Sequence, residues 1–144
     1  MRFMVMVMVM VGSTPEVEAG GLPDGQLLTA MGHNTEELAN AGILLAGEGL
    51  QPSSKGVRVH FSHGRQSVID GPFSEAKELI AGYWLWQCKS LDEAIEWAKR
   101  CPSPTGEDSA LEIRQVFEPD DFGVGFTPEL RAQEERLRTT SANR

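Results

Sequence analysis

Two stretches of the sequence place a carboxylate among residues that control backbone shape: Asp70-Gly71-Pro72-Phe73 and Gly47-Glu48-Gly49. An aspartate at a strand end either accepts backbone hydrogen bonds in the turn that follows or serves as a general base in a pocket. Glycines on both sides of Glu48 let the backbone approach a neighbour closely. If the two segments meet at one end of a sheet, Glu48 and Asp70 can share a proton, as a working acid/base pair does. The bland alternative sets Glu48 against Lys77 or Arg58, with Asp70 as a turn residue. His33 is the third catalytic candidate, as the partner of either carboxylate. Gln51, Phe73, Trp84 and Trp86 are the side chains expected to line a small-ligand cleft beside them, although Trp84 and Trp86 serve equally well as packing.

Other chemistry is poorly supported. His60 and His63 have an H-x-x-H spacing, but on a strand and turn they need not converge, and no third ligand is near in sequence. Alternating methionines in the first segment are better read as packing than as a metal stripe. Gly47-Glu48-Gly49 lacks the further glycine of a phosphate loop and puts a negative charge where phosphate would sit. No local Ser-His-Asp or Cys-His arrangement appears. No metal and no cofactor is expected.

Those side chains must be positioned by one domain of 144 residues, long enough for a single core. Thirteen Lys and Arg against 21 Asp and Glu give a formal net charge of −8, which repels nucleic acid and anionic membranes alike. Cys88 and Cys101 lack a CxxC spacing and suit a reducing compartment. Only Arg2 precedes the apolar run from Phe3 to Val11, and no cleavage pattern follows it, so a strand is expected instead of a signal peptide. No apolar stretch is long enough to span a bilayer. The expected location is cytoplasmic.

Val and Met alternate from Phe3 to Val11, so valines line one face of a strand and methionines the other, both apolar. Pro15 to Gly25 reads as a loop. Leu27, Leu28, Met31, Leu38 and Ala39 mark a helix ended by a left-handed Gly42. Ile43 to Ala46 is a short strand left through Gly47 to Pro52. Val57–Phe61 and Gln66–Asp70 form a hairpin, with Val57, Val59 and Phe61 expected to face inward. Ser74 to Glu78 suggests one helical turn, and Gly82 to Cys88 another strand. Ser90-Leu91-Asp92-Glu93 is a capping-box sequence opening a helix whose packed face is Leu91, Ala94, Ile95 and Ala98. Ala110 to Phe117 is the last strand, with Leu111 and Ile113 on one face and Glu112 and Arg114 on the other. Thr127-Pro128-Glu129 caps a short polar helix lacking a broad apolar face.

This order gives an α+β, ferredoxin-like antiparallel sheet with two helices on one face and extra hairpin strands. The domain is expected over residues 1–117, with a C-terminal extension over 118–144. Two helices cover one face only, so the second face, assigned to the methionines and to part of the Trp84–Trp86 strand, needs a cover. A second copy of the sheet supplies one, giving a homodimer.

Glu36-Glu37-Leu38, Ala41-Gly42, Gly47-Glu48-Gly49-Leu50-Gln51-Pro52, Asp70-Gly71-Pro72-Phe73, Glu75, Lys77-Glu78, Gly82 and Ala94-Ile95-Glu96-Trp97 together resemble the DGPF branch of the YCII-related family, of the dimeric α-β barrel group. The resemblance runs from Met4 to about Leu137. It implies a fold and a two-fold assembly more than a reaction, since most of that family has no assigned activity. Members often sit beside extracytoplasmic-function sigma factors, which implies a regulatory role with such a factor as partner. More distant relatives are enzymes with a His and Asp pair; their histidine position falls near Ala30, about one turn from His33. The leading expectation is a dimeric small-ligand-binding or regulatory module. The alternatives are a cofactor-independent acid/base enzyme using Asp70 or Glu48 with His33, and a sigma-factor partner.

Overall fold

The structure, a computed structural model, describes residues 1–8, 25–73, 79–102 and 109–142. The end of the first expected strand at Val9–Val11, the loop from Pro15, the turn at Ser74–Glu78 and Lys77 lie outside the described residues. In chain order the elements are β1 (Arg2–Met8), α1 (Gly25–Asn40), β2 (Leu44–Gly49), β3 (Val57–Ser62), β4 (Arg65–Asp70), β5 (Ile80–Gln87), α2 (Leu91–Lys99), β6 (Ala110–Gln115) and α3 (Pro128–Ala142). Short 3-10 turns occupy Ser53–Lys55 and Pro119–Gly125.

β1, β2, β5 and β6 form an antiparallel sheet in the order β2-β5-β1-β6. With α1 and α2 as crossovers this is the expected ferredoxin-like α+β arrangement. Phe3, Val5 and Val7 of β1 are buried together with Leu38 of α1 and Ala94 of α2, whereas Met4, Met6 and Met8 alternate onto the other side. The Val/Met alternation therefore divides the faces as expected, and full burial of each of Val5, Phe3 and Leu38 contributes about 1.5–3 kcal/mol.

Local chemistry fixes the helix ends. Gly42 has φ +74, the left-handed conformation that closes α1, while Ile43 N–H bonds to Leu38 O at 3.0 Å. Ser90 Oγ accepts from Glu93 N–H at 3.1 Å, and the Glu93 carboxylate reaches back to Lys89 N–H at 2.9 Å, one residue further than a capping box requires. Thr127 Oγ1 accepts from Leu130 N–H at 3.3 Å at the start of α3. No residue of α3 is buried.

Three expectations are corrected. Trp84 and Trp86 do not lie on the second sheet face: β1 pairs Val5 with Trp84 and Phe3 with Trp86, and directly opposed residues share a face. Both indoles sit in the helix-side core, 6% and 0% exposed, with ring centroids 5.8 Å apart. Val57, Val59 and Phe61 do not face inward, because among the described residues β3 and β4 pair only with each other, as a separate two-stranded sheet whose residues are all exposed. Leu91 is likewise 47% exposed; Trp97 joins Ala94 and Ala98 against the core instead.

Candidate functional site

β2 does not end at Ala46. It runs on through Gly47-Glu48-Gly49 because β5 offers a glycine opposite: a Cβ on Gly82 would lie 2.9 Å from the Glu48 carbonyl oxygen, so only glycine lets the strands approach this closely. Gly47 performs a related task, since its missing side chain leaves room for the Trp84 indole, whose Cδ1 would stand 2.6 Å from a Cβ there. The register slips between Leu44 and Ala46, a bulge of the kind that re-aims the following side chains. After it, Ala46 opposes Leu85 and Glu48 opposes Tyr83.

Glu48 is thereby placed on the open face of the sheet. Met4 opposes Leu85 and Met6 opposes Tyr83, so Met4, Met6, Tyr83, Leu85 and Ala46 make an apolar centre on this side. On the opposite edge Arg114 pairs with Met4 and Glu112 with Met6, both charged side chains being exposed. The face has an apolar middle and a charged margin, the anatomy of an interface core and rim. Glu48 and Tyr83 are the polar groups nearest its β2 side in the strand register.

Asp70 lies elsewhere, at the base of the hairpin opposite Val57. The chain around it is tightly knuckled. Gly71 N–H donates to Gly56 O at 3.0 Å and Phe73 N–H to Ser53 Oγ at 3.2 Å, and the Arg58 guanidinium lies 3.8 Å above the Phe73 ring. A Cβ on Gly71 would overlap Ser53 O at 1.8 Å, which explains why glycine follows the aspartate. The Gly71–Pro72 peptide is cis. Gln51 belongs to this knuckle as well, accepting from Lys55 Nζ at 3.5 Å. Among the described residues, no hydrogen bond or ion pair joins Asp70 to Glu48, and the two belong to different sheets.

His33 sits within α1, with its side chain 76% exposed and Nε2 3.7 Å from Glu37 Oε1. Glu37, one turn along the helix, is the carboxylate beside it. The buried polar residue of α1 is Asn34, whose Nδ2 donates to Cys101 Sγ at 3.4 Å. Burial pushes the Cys101 thiol above its ordinary value of 9.0 while the Asn34 bond opposes this, and burial raises Cys88 too. Among the described residues, Asn34 Oδ1 and Trp86 Nε1 are buried with no hydrogen-bond partner.

The structure thus separates the candidates into Glu48 on the open sheet face, Asp70 with Gln51 and Phe73 at the hairpin base, Trp84 and Trp86 in the core, and His33 on the outer surface of α1. Tyr83 and the bulge before Glu48 were not marked by sequence reasoning. The Gly47/Gly49/Gly82 combination was the available signal, but its meaning depended on knowing that β2 and β5 are neighbours. Among the described residues no group of three or more His, Cys, Asp or Glu side chains could hold a metal ion, and no helix is long and apolar enough to cross a membrane.

An uncharacterized protein of Rhizobium meliloti (strain 1021) is 34% identical over 67 residues, 46% of this chain and 54% of that protein, so the match spans about half of the relative's length. The model of the YCII-related domain matches residues 1–120, from β1 into the 3-10 turn after β6. With that match covering most of its length and the sheet order expected of it, the chain belongs to the YCII-related domain family.

Proposed function

We propose that the protein is a homodimeric small-molecule-binding module in which two open sheet faces pack together and Glu48 anchors the ligand. The carrying observation is the position of Glu48 beside Tyr83 on a face otherwise built from Met4, Met6, Ala46 and Leu85. A carboxylate at the margin of an apolar interface loses water when that interface closes, and it then gains most from a partner that donates hydrogen bonds or carries positive charge. The ligand class that fits is a small amine or amidine with an apolar body, which the net charge of −8 also favours over anions. Tyr83 supplies a ring wall and a hydroxyl that both donates and accepts.

The test combines light scattering with thermal melts of the wild type and Glu48→Gln against amine, neutral and carboxylate fragments. A dimer at micromolar concentration is expected, with melting shifts concentrated among the amines and affinity lost by about tenfold or more in Glu48→Gln. A monomer, or amine shifts unchanged in Glu48→Gln, would refute the reading. The acid/base alternative is supported by the same Glu48–Tyr83 pairing, with no part for the exposed His33. It predicts turnover abolished in Glu48→Gln and retained in His33→Ala.

A further inference from the structure

The β3–β4 hairpin reverses the charge of the chain. Overall the protein carries −8, yet residues 49–69 hold Lys55, Arg58 and Arg65, two of the three histidines and no Asp or Glu. Such segregation gives the hairpin a local positive potential that the net charge hides. The strand register sorts the side chains further. Arg58/Ile69, His60/Ser67 and Ser62/Arg65 share one face, whereas Asp70 pairs with Val57 and belongs to the other, together with Val59/Val68 and Phe61/Gln66. The face that carries the arginines therefore has no carboxylate from either strand, and its side chains are exposed.

Towards the tip these donors come together. Directly opposed residues hold their Cβ atoms about 4.5–5.5 Å apart, and Arg65 and Ser67 follow each other on one side of β4, so Ser62, Arg65, Ser67 and His60 form one compact group. Ser62, His63, Arg65, Gln66 and Ser67 line an open concavity there. None of the ion pairs among the described residues engages Arg65. The turn adds a second sign. His63 and Gly64 have φ values of +50 and +75, the positive values that a type I′ turn requires at both central positions. Asn-Gly is the preferred pair for such a turn, so the imidazole is not needed to make the turn, and it stands at the wall of the concavity.

We infer that the hairpin tip is a binding site for the phosphate monoester group of a small molecule, held by the Arg65 guanidinium with the Ser62 and Ser67 hydroxyls and the His63 imidazole around it. The set of donors selects this chemistry. A guanidinium presents a planar fork matched to two phosphate oxygens, and the hydroxyls and the imidazole supply further donors. A carboxylate has two oxygens and leaves part of that set unused, whereas a phosphate monoester has three terminal oxygens and close to two charges. A nucleic-acid backbone presents singly charged diesters within a polyanion, which the chain's −8 repels. The site lies apart from Glu48, which belongs to the other sheet, and it requires no second subunit.

The experiment is an NMR titration of the isotope-labelled full chain with phenyl phosphate, phenol, benzoate and a single-stranded oligonucleotide, read at backbone amides and arginine side chains. Phenyl phosphate should give saturable shifts concentrated at Ser62–Ser67 and the Arg65 side chain, with an affinity about tenfold or more above that of benzoate. Phenol should give none. Arg65→Gln should weaken phenyl phosphate by about tenfold or more, and His63→Asn, which keeps the preferred turn pair, by about threefold or more. Amide shifts of β3 and β4 away from the tip establish that each variant retains the hairpin. No saturable shift, equal affinity for benzoate and phenyl phosphate, shifts spread over lysines and arginines elsewhere, or wild-type affinity in either variant would overturn the inference. Tighter binding of the oligonucleotide through the same resonances would reject the small-molecule ligand in favour of nucleic acid.

Discussion

Gly71→Ala is the substitution for which the structure gives the sharpest consequence. A Cβ at this position would lie 1.8 Å from Ser53 O and 2.7 Å from Ser53 C. Both are backbone atoms, so no side-chain rotation relieves the overlap, and reaching an ordinary contact of about 3.2 Å requires the segments to part by more than about 1 Å. A displacement of that size breaks the 3.0 Å bond from Gly71 N–H to Gly56 O and the 3.2 Å bond from Phe73 N–H to Ser53 Oγ. It also draws Phe73 from under Arg58. At about 1 kcal/mol for each hydrogen bond and about 0.5–1 kcal/mol for the cation–π contact, the knuckle loses about 2.5–3 kcal/mol. That corresponds to an increase on the order of a hundredfold in local opening. Because β3 and β4 pair only with each other among the described residues, the loss should be confined to the hairpin. Amide hydrogen exchange should show amides of β3 and β4 accelerated by that factor, with β1 and β5 amides little changed. Wild-type exchange in the hairpin, or equal acceleration through β1 and β5, would refute the reasoning.

Gly82→Ala should destabilise the main sheet by about 1–2 kcal/mol in urea titrations, because its Cβ would press to 2.9 Å on the Glu48 carbonyl oxygen; an unchanged midpoint would mean that β2 moves freely. Ser90→Ala removes the acceptor for Glu93 N–H and should cost about 1 kcal/mol, read by the same titration. Glu118 is held below its ordinary value of 4.5 by the hydrogen bond from Arg2, 2.9 Å away. Its stabilising contribution is therefore complete above that value and is lost as pH falls through the lower folded value. Glu118→Gln should flatten stability against pH in this acidic window, by a small, salt-sensitive amount because the pair lies near the surface.

Much of the main sheet could be read from the sequence because its signals are local. Val/Met alternation sets the two faces of β1, Gly42 stops α1 and Ser90 starts α2. The strand register could not be read this way. The parity of Tyr83-Trp84-Leu85-Trp86 shows that Trp84 and Trp86 share a face, but choosing the core face depends on pairing Trp84 with Val5. A one-residue slip would turn the indoles outward and Tyr83 inward. The same missing information hid the partnership of Glu48 with Tyr83 and made the hairpin valines look like core residues. Alternation identifies an apolar face without identifying what covers it.

The Asp70-Gly71-Pro72-Phe73 motif is accounted for by architecture before chemistry is invoked. Gly71 is required by its approach to Ser53, and Phe73 is held through its amide and under Arg58. Together these contacts set where the hairpin leaves the body. Asp70 is the member of the motif for which packing gives no explanation, since its side chain makes no hydrogen bond or ion pair among the described residues and stands at the end of an exposed apolar face. Glu48 differs: its backbone is fixed through Gly82, and its side chain is directed onto an apolar sheet face beside Tyr83. Two carboxylates that looked like a pair in the sequence therefore occupy the margins of two different surfaces. Removing one should leave the other's effect intact, so the effects of Glu48→Gln and Asp70→Asn on stability should add in a double-mutant cycle read by urea titration. A coupling above about 0.5 kcal/mol would return them to a shared site.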